Sequence, residues 1–331
     1  MIPPVPVDTW ANQLHLATVV FNPLRYQSRY DLYWRFWHHM QASGVTLYTA
    51  EIAVGERSFH VTEPGNPLHL QLWSNQMLWH KETAINLMIQ RIPPEAISLG
   101  WIDADITLAR YDWASEAVHQ LQIHPVVQLW SEAIDLTPGY EPLSRHKSFA
   151  WSYHNLTPDP THDPYQPPKP SPRWIPWHPG YGWAYTRDAW NQLGGMIDSA
   201  ILGAADNQMA KSLIGDGQYS MHPKVSHGYK QVTLDWQKRA EPLHRDLGYV
   251  EGLLLHHWHG KKAARGYWDR WQVLVQSQFD PRTDLQRDAQ GLWQLVVTNH
   301  RQRKLRDALR KYFKSRNEDG IDYDLKEGNM A

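Results

Sequence analysis

Short apolar runs alternate with segments of helical period along the first 130 residues, and this alternation confines the chain to a few architectures. Leu14–Phe21 closes on Asn22-Pro23, as a buried strand does on entering a loop. Residues 28–40 carry aromatic and apolar side chains at helical spacing, with Gly44 beyond the expected end. Residues 45–52 are rich in β-branched side chains and predict a second strand, and 69–73 a third. A helical pattern over 78–89 stops at Pro93-Pro94. Residues 97–102 predict a buried strand running into Asp103-Ala104-Asp105, and 126–130 a further one. Strands separated by helices imply an α/β fold with a mostly parallel sheet, whose ligands bind beyond the carboxyl ends of its strands.

The second half reads differently. Residues 155–177 hold eight prolines among 23, so no regular element is expected there; the segment is either a disordered excursion or an ordered loop over an acceptor. Helical patterns return at 187–193, 199–214 and 229–245, and 249–258 predict one more strand, leading into His259-Gly260-Lys261-Lys262. The tail is helical and ends in a basic segment, 300–316, and no internal repeat is visible. A length of 331 residues suits two average domains or one α/β unit with insertions. A net charge of -1 dictates no bulk electrostatic partner, so any nucleic-acid surface must be a local patch. The absence of cysteine excludes disulfides, thiolate catalysis and Cys-ligated metal, and fits a reducing compartment. Residues 1–10 lack the basic and apolar parts of a signal peptide, and no apolar run reaches the ~20 residues of a membrane helix. The expectation is a soluble cytoplasmic protein with no membrane partner.

Three clusters could carry chemistry. At a strand end, Asp103 and Asp105 project to the same side and could hold a hard divalent cation together with phosphate oxygens and water. An isolated Asp-x-Asp is more often a surface turn, but the apolar strand before it and Ile106 after it reverse that balance. In His256-His257-Trp258-His259, strand alternation puts His257 and His259 on one face and His256 on the other. His259 is then either a Mn²⁺ ligand or a half-buried core histidine, while His256 and His257 read as structural. The third cluster runs from His178-Pro179-Gly180-Tyr181-Gly182-Trp183 through Arg187 and Gly194-Gly195 to Gly203-Ala204-Ala205-Asp206. Its aromatics offer flat faces to a sugar or base, and Asp206 is either a helix cap or a general base.

Together, a strand ending in Asp-x-Asp, a later Gly182-Trp183-Ala184 with Arg187 and Gly194-Gly195, a Gly-x-x-Asp element and a distal His resemble a GT-A glycosyltransferase over residues 14–262. The acidic element departs from the family's Gly-Gly-Glu-Asp pattern, since Ala204 and Ala205 replace its second glycine and its glutamate. The phrases Trp101-Ile102-Asp103-Ala104-Asp105-Ile106, His178-Pro179-Gly180-Tyr181-Gly182-Trp183-Ala184 and Leu255-His256-His257-Trp258-His259-Gly260-Lys261-Lys262 are further similar to bacteriophage-encoded glycosyltransferases. So are Phe279-Asp280-Pro281 and the run from Tyr312 to Asp319. Some of those relatives are associated with glycosylating 5-hydroxymethylpyrimidines in phage DNA.

The resemblance implies a GT-A-like catalytic domain over 1–262, with a helical extension over 263–331. It implies Mn²⁺ (or Mg²⁺) as cofactor, a nucleotide-sugar donor such as a UDP-sugar, and the host cytoplasm as the place of action. Asp105 and His259 would be direct metal ligands, with Asp103 near the ribose and metal-bound water. Asn22, Arg25, Glu51 and Arg187 would meet the donor, and Lys261 and Lys262 would pair with its diphosphate or be solvated. Asp206 as base implies inversion. Trp177, Tyr181 and Trp183 would receive the acceptor, best matched by 5-hydroxymethylcytosine, or 5-hydroxymethyluracil, in DNA. A saccharide or protein acceptor, or a non-catalytic DNA-binding accessory protein, are the alternatives.

The tail supplies a separate signal. Leu305, Leu309, Tyr312 and Phe313 form one apolar stripe, leaving a basic surface that includes Arg303, Arg310 and Lys314. That surface either tracks DNA phosphates or is simply solvated.

Overall fold

A computed structural model describes residues 10–155, 177–267 and 269–323. In chain order the strands are β1 Leu14–Phe21, β2 Thr46–Val54, β3 His69–Ser74, β4 Ser98–Ile102, β5 Ile106–Leu108, β6 Val126–Gln128 and β7 Glu132–Leu136. They continue with β8 Pro142–Ser148, β9 Trp177–His178, β10 Gly182–Thr186, β11 Leu247–Tyr249, β12 Leu253–His256, β13 Leu285–Arg287 and β14 Trp293–Leu295. The helices are α1 Gln27–Ser43, α2 Lys81–Ile89, α3 Trp113–Leu121, α4 Phe149–Asn155, α5 Arg187–Leu193, α6 Ala205–Leu213, α7 His227–Ala240, α8 Asp269–Ser277, α9 Pro281–Asp284 and α10 His300–Ser315.

The central sheet has the order β11-β6-β10-β4-β1-β2-β3. Its pairs are parallel except that β10 runs against both β4 and β6. This is the expected α/β class with a mostly parallel sheet flanked by helices. Every residue of β4 is buried, and the run Leu99-Gly100-Trp101-Ile102 is apolar, as suits a strand covered on both faces. Gly100 sits where β10 crosses closest: a Cβ there would lie 2.3 Å from the Trp183 carbonyl oxygen. A second sheet, β5-β12-β7-β8-β9, stands beyond the main one and carries the chain that follows Asp105.

Three expectations need correction. The strand expected over 249–258 is two strands: β11 closes the main sheet, and β12 belongs to the second. The helix expected from 199 begins at Ala205, because Gly203 and Ala204 both hold positive φ, +82° in each case, which no helical residue adopts. The β7–β8 pair was not anticipated; its strands carry Glu132, Asp135, Arg145 and Lys147 and so show no apolar alternation. The proline-rich stretch over 156–176 lies outside the described residues.

The C-terminal extension, expected to be helical throughout, holds α8, α9 and α10 but also the antiparallel β13–β14 pair; α10 docks as its stripe predicts, with Leu305, Leu309, Tyr312 and Phe313 buried. Asn299 caps α10 by accepting from the Gln302 N–H at 3.0 Å, and fully buried Asp284 accepts from Arg301 and Gln302. No helix among the described residues is long and apolar enough to cross a membrane.

Candidate active site

The strand order turns at β1, which has β2 on one side and β4 on the other; at such a switch point a crevice opens beyond the carboxyl ends. A cavity of about 760 Å³ lies there. Asn22 enters it from the end of β1, Asp103 and Asp105 from the end of β4, and His256 and His259 from the end of β12. Residues on both sides of position 262 wall it, since Arg265, Tyr312, Phe313, Arg316 and Glu318 line it together with Asp103 and Asp206.

The two aspartates have different partners. Asp103 forms an ion pair with Lys81, whose ammonium also sits 4.4 Å from the centre of the Trp101 ring. Burial raises the pKa of Asp103, Lys81 opposes the rise, and the neighbouring Asp105 adds to it. Asp105 Oδ2 accepts from Arg29 at 2.8 Å and lies 3.1 Å from His259 Nε2. Burial pushes Asp105 up, but His259, His256 and Arg29 outweigh it and hold the carboxyl well below the usual range. Its other oxygen, Oδ1, is buried with no hydrogen-bond partner among the described residues.

His256 is the residue that sequence reasoning misplaced. Strand alternation fails because β12 ends at His256, so the chain turns and brings His256 Nε2 to 3.2 Å from His259 Nε2. His257 goes instead to Thr107 Oγ1 at 2.8 Å, in the structural role expected of it. Ligand atoms of Asp105, His256 and His259 lie within 4.8 Å of one another, all three buried. One carboxylate and two imidazoles, with an orphaned carboxylate oxygen among them, form a donor set suited to Mn²⁺ or another borderline divalent cation. Asp103, held by Lys81, stands outside that cluster.

The remaining positive charge also went unanticipated. Arg29 bridges Asp105 and Glu318, and Arg316 Nε reaches Glu318 Oε1 at 2.5 Å. Arg265 Nη2 approaches His259 Nε2 at 3.1 Å. Nothing local in the sequence marks these groups: Arg29 meets Asp105 across 76 positions and Glu318 across 289.

Asp206 lines the cavity from the first turn of α6. It is not the helix cap, a position taken by Ala204; its Oδ1 accepts from the Asn207 N–H at 2.8 Å, and the carboxylate faces Gly180. Trp177 lines the cavity as well. Tyr181 does too, but its hydroxyl points inward to Asp135 at 3.2 Å and its ring stacks on His178 at 4.2 Å between centroids. Burial lowers His178 well below the ordinary histidine value and His146 to about 4.

Five expected site residues lie elsewhere. Arg187 donates to the Ala96 and Pro93 carbonyls at the opposite end of the sheet, because it follows a strand that runs antiparallel to β4. Trp183, 2% exposed, is core, with Nε1 bonded to the Pro179 carbonyl. Glu51 is consumed by its own loop, accepting from the backbone N–H groups of His60, Val61 and Thr62. Arg25 pairs with His60 at 2.7 Å in a small separate recess, and Lys261 does not reach the cavity. Lys262 does, bonded to Asp135 at 2.6 Å. Arg303, Arg310 and Lys314 are exposed on the outer side of α10.

No family model matches the chain, and no curated protein does. Among solved structures it is similar to the catalytic domain of Drosophila β1,4-galactosyltransferase 7 in complex with xylobiose, at 10% identity, covering 88% of this chain and 98% of that one, with a TM-score of 0.37. A mutant of the same enzyme with manganese, UDP-Gal and xylobiose matches at 11% identity, the same shares and a TM-score of 0.37. A Desulfovibrio desulfuricans protein assigned as a nucleotide-diphospho-sugar transferase matches at 10% identity over 74% of this chain and 82% of that one, with a TM-score of 0.31. At these scores the likeness is one of general course, and the fold stands on its own strand order.

Proposed function

We propose that the chain is a metal-dependent glycosyltransferase of GT-A type, moving a sugar from a nucleotide-sugar donor to an acceptor hydroxyl. The observation that carries this reading is the convergence of Asp103, Asp105, His256, His259 and Asp206 on one cavity at the switch point of a mostly parallel sheet. Asp105, His256 and His259 would hold the cation, which when bound supplies Lewis-acid stabilisation to a departing diphosphate. Arg29, Lys81 and Arg265 add fixed positive charge to the same cavity. Asp206 takes the proton of the acceptor hydroxyl as the new bond to the anomeric carbon forms and the sugar–phosphate bond breaks. A base acting opposite the leaving group inverts the anomeric centre.

The proposed acceptor is the hydroxymethyl group of 5-hydroxymethylcytosine, or of 5-hydroxymethyluracil, in DNA. Support comes from the phage-type sequence phrases and from α10, which turns Tyr312 and Phe313 to the cavity while Arg303, Arg310 and Lys314 face solvent. A duplex base must be reached in the groove or flipped out, at a cost of a few kcal/mol that phosphate contacts and stacking on Trp177 would offset. A saccharide acceptor is the second reading, favoured by the aromatic walls Trp79, Trp177 and Tyr267.

The test incubates the enzyme with Mn²⁺ and a panel of sugar nucleotides, reading donor hydrolysis, then adds hydroxymethylated DNA, unmodified DNA or oligosaccharides. A hexose- or pentose-sized mass gain on the hydroxymethylated nucleoside alone supports the DNA acceptor; transfer to the oligosaccharide supports the second reading. Absence of donor hydrolysis and transfer with every nucleotide sugar refutes the enzyme assignment.

A further inference from the structure

Asp135, on β7 of the second sheet, is 3% exposed and lies behind the cation cluster. Four groups converge on its carboxylate: His256 Nδ1 at 2.6 Å, the Lys262 ammonium at 2.6 Å, the Ser144 hydroxyl at 2.5 Å and the Tyr181 hydroxyl at 3.2 Å. An ammonium can only donate, and a carboxylate so surrounded serves as acceptor to all four. The ring hydrogen of His256 therefore sits on Nδ1, and in the neutral ring Nε2 keeps its lone pair. That Nε2 is the atom 3.2 Å from His259 Nε2, facing Asp105.

His259 is not set in the same way. Its Nδ1 is buried and has no hydrogen-bond partner among the described residues, so none of them fixes its tautomer from that side. Arg265 approaches its Nε2 at 3.1 Å, while the Asp105 oxygen lies on the same atom at 3.1 Å. The cluster thus contains one imidazole oriented from behind by a carboxylate and one whose protonated nitrogen can change when a cation arrives. A metal-binding histidine needs its free nitrogen unprotonated, and a carboxylate on the other nitrogen both fixes that tautomer and strengthens the ligand.

We infer that Asp135 is a positioning residue that presets His256 as a cation ligand alongside Asp105 and His259, with Lys262 holding Asp135 in place. The inference rests on the metal-dependent reading above. It gives Lys262 a role different from pairing with the donor diphosphate, since its ammonium is already engaged by Asp135. It also explains why a buried Asp, Ser and Tyr and a half-buried Lys should gather behind a pair of histidines.

Two measurements test it. In the metal-free wild-type protein, ¹⁵N–¹H correlation of the imidazole nitrogens should show His256 with its hydrogen on Nδ1; a hydrogen on Nε2 overturns the inference. Manganese affinity, followed by electron paramagnetic resonance of free Mn²⁺, should fall about 10- to 100-fold in Asp135→Asn. It should fall at least as far in His256→Gln and stay at the wild-type value in His257→Gln, whose ring faces Thr107. The tautomer measurement needs no variant and decides the matter if Asp135→Asn fails to fold. Wild-type protein that binds Mn²⁺, with folded Asp135→Asn and His256→Gln binding it equally well, overturns this inference alone. Wild-type protein that does not bind Mn²⁺ overturns it together with the metal-dependent reading.

Discussion

Gly100→Ala is the substitution whose cost the structure allows to be worked out. Gly100 lies at the centre of β4, opposite Ala184 of the antiparallel β10 and three residues before Asp103 at the cavity. A Cβ at that position would lie 2.3 Å from the Trp183 carbonyl oxygen, 2.9 Å from Leu16 Cδ2 and 3.0 Å from the Ala184 Cα. Two of these three are backbone atoms and cannot rotate away. A carbon approaches a carbonyl oxygen to about 3.3 Å even in close sheet contacts, so the strands must part locally by about 1 Å. That stretches the flanking ladder bonds past useful length, losing roughly two at about 1 kcal/mol each, and overpacking adds about 1–3 kcal/mol. The expected loss is about 3–5 kcal/mol, a large part of the ~5–15 kcal/mol that holds a typical domain folded. Urea unfolding followed by tryptophan fluorescence reads it directly as a lower midpoint. Gly139→Ala is the control, since a Cβ there meets only Thr137 Oγ1 at 3.8 Å, and it should change stability by less than about 0.5 kcal/mol. Mn²⁺ binding by Gly100→Ala should weaken as well, because Asp105 follows closely on the end of β4. A loss under about 1 kcal/mol at unchanged slope would show that the sheet absorbs the methyl and would refute the close-approach argument.

Other perturbations separate the roles proposed for the site. Asp105→Ala should remove Mn²⁺-dependent donor binding, read by calorimetry, because the cluster loses its only carboxylate. Asp206→Asn should keep donor affinity and lower the transfer rate by about 10²-fold or more; transfer near the wild-type rate would remove Asp206 as base. Glu82 is buried and its pKa is pushed from 4.5 up to about 8, chiefly by desolvation, with Lys81 opposing. The folded state therefore holds a proton that the unfolded chain releases, and wild-type stability falls as pH rises from about 4.5 to about 8. Glu82→Gln should gain on the wild type across that window in thermal melts, and a difference independent of pH would refute the shift. Reversing Arg303, Arg310 and Lys314 to Glu should flatten the salt dependence of DNA binding by roughly one unit of slope per lost contact, with donor hydrolysis unchanged; an unaltered slope would return α10 to a solvated surface.

What the sequence determined alone follows from local periodicity. A short apolar run bounded by turn residues reads as a strand covered on both faces, so β4 and the place of the two aspartates beyond its end were legible. The amphipathic stripe of α10 likewise foretold which of its residues are buried. Strand direction was not legible, and it decided much of the rest. Because β10 runs antiparallel to β4, Trp177 and Tyr181, which precede it, reach the cavity, while Arg187, which follows it, emerges at the far end. Where β12 ends was equally hidden, since alternation holds only as long as the chain stays extended; one residue of difference placed His256 rather than His257 beside His259. The charges around Asp105 come from positions 29, 265, 316 and 318, and only the docking of the C-terminal helix and the folding back of its tail bring them together. Periodicity records which face of an element is buried, but it carries no information about which distant element covers that face, and in this protein the covering elements supply Arg265, Tyr312, Arg316 and Glu318 to the site.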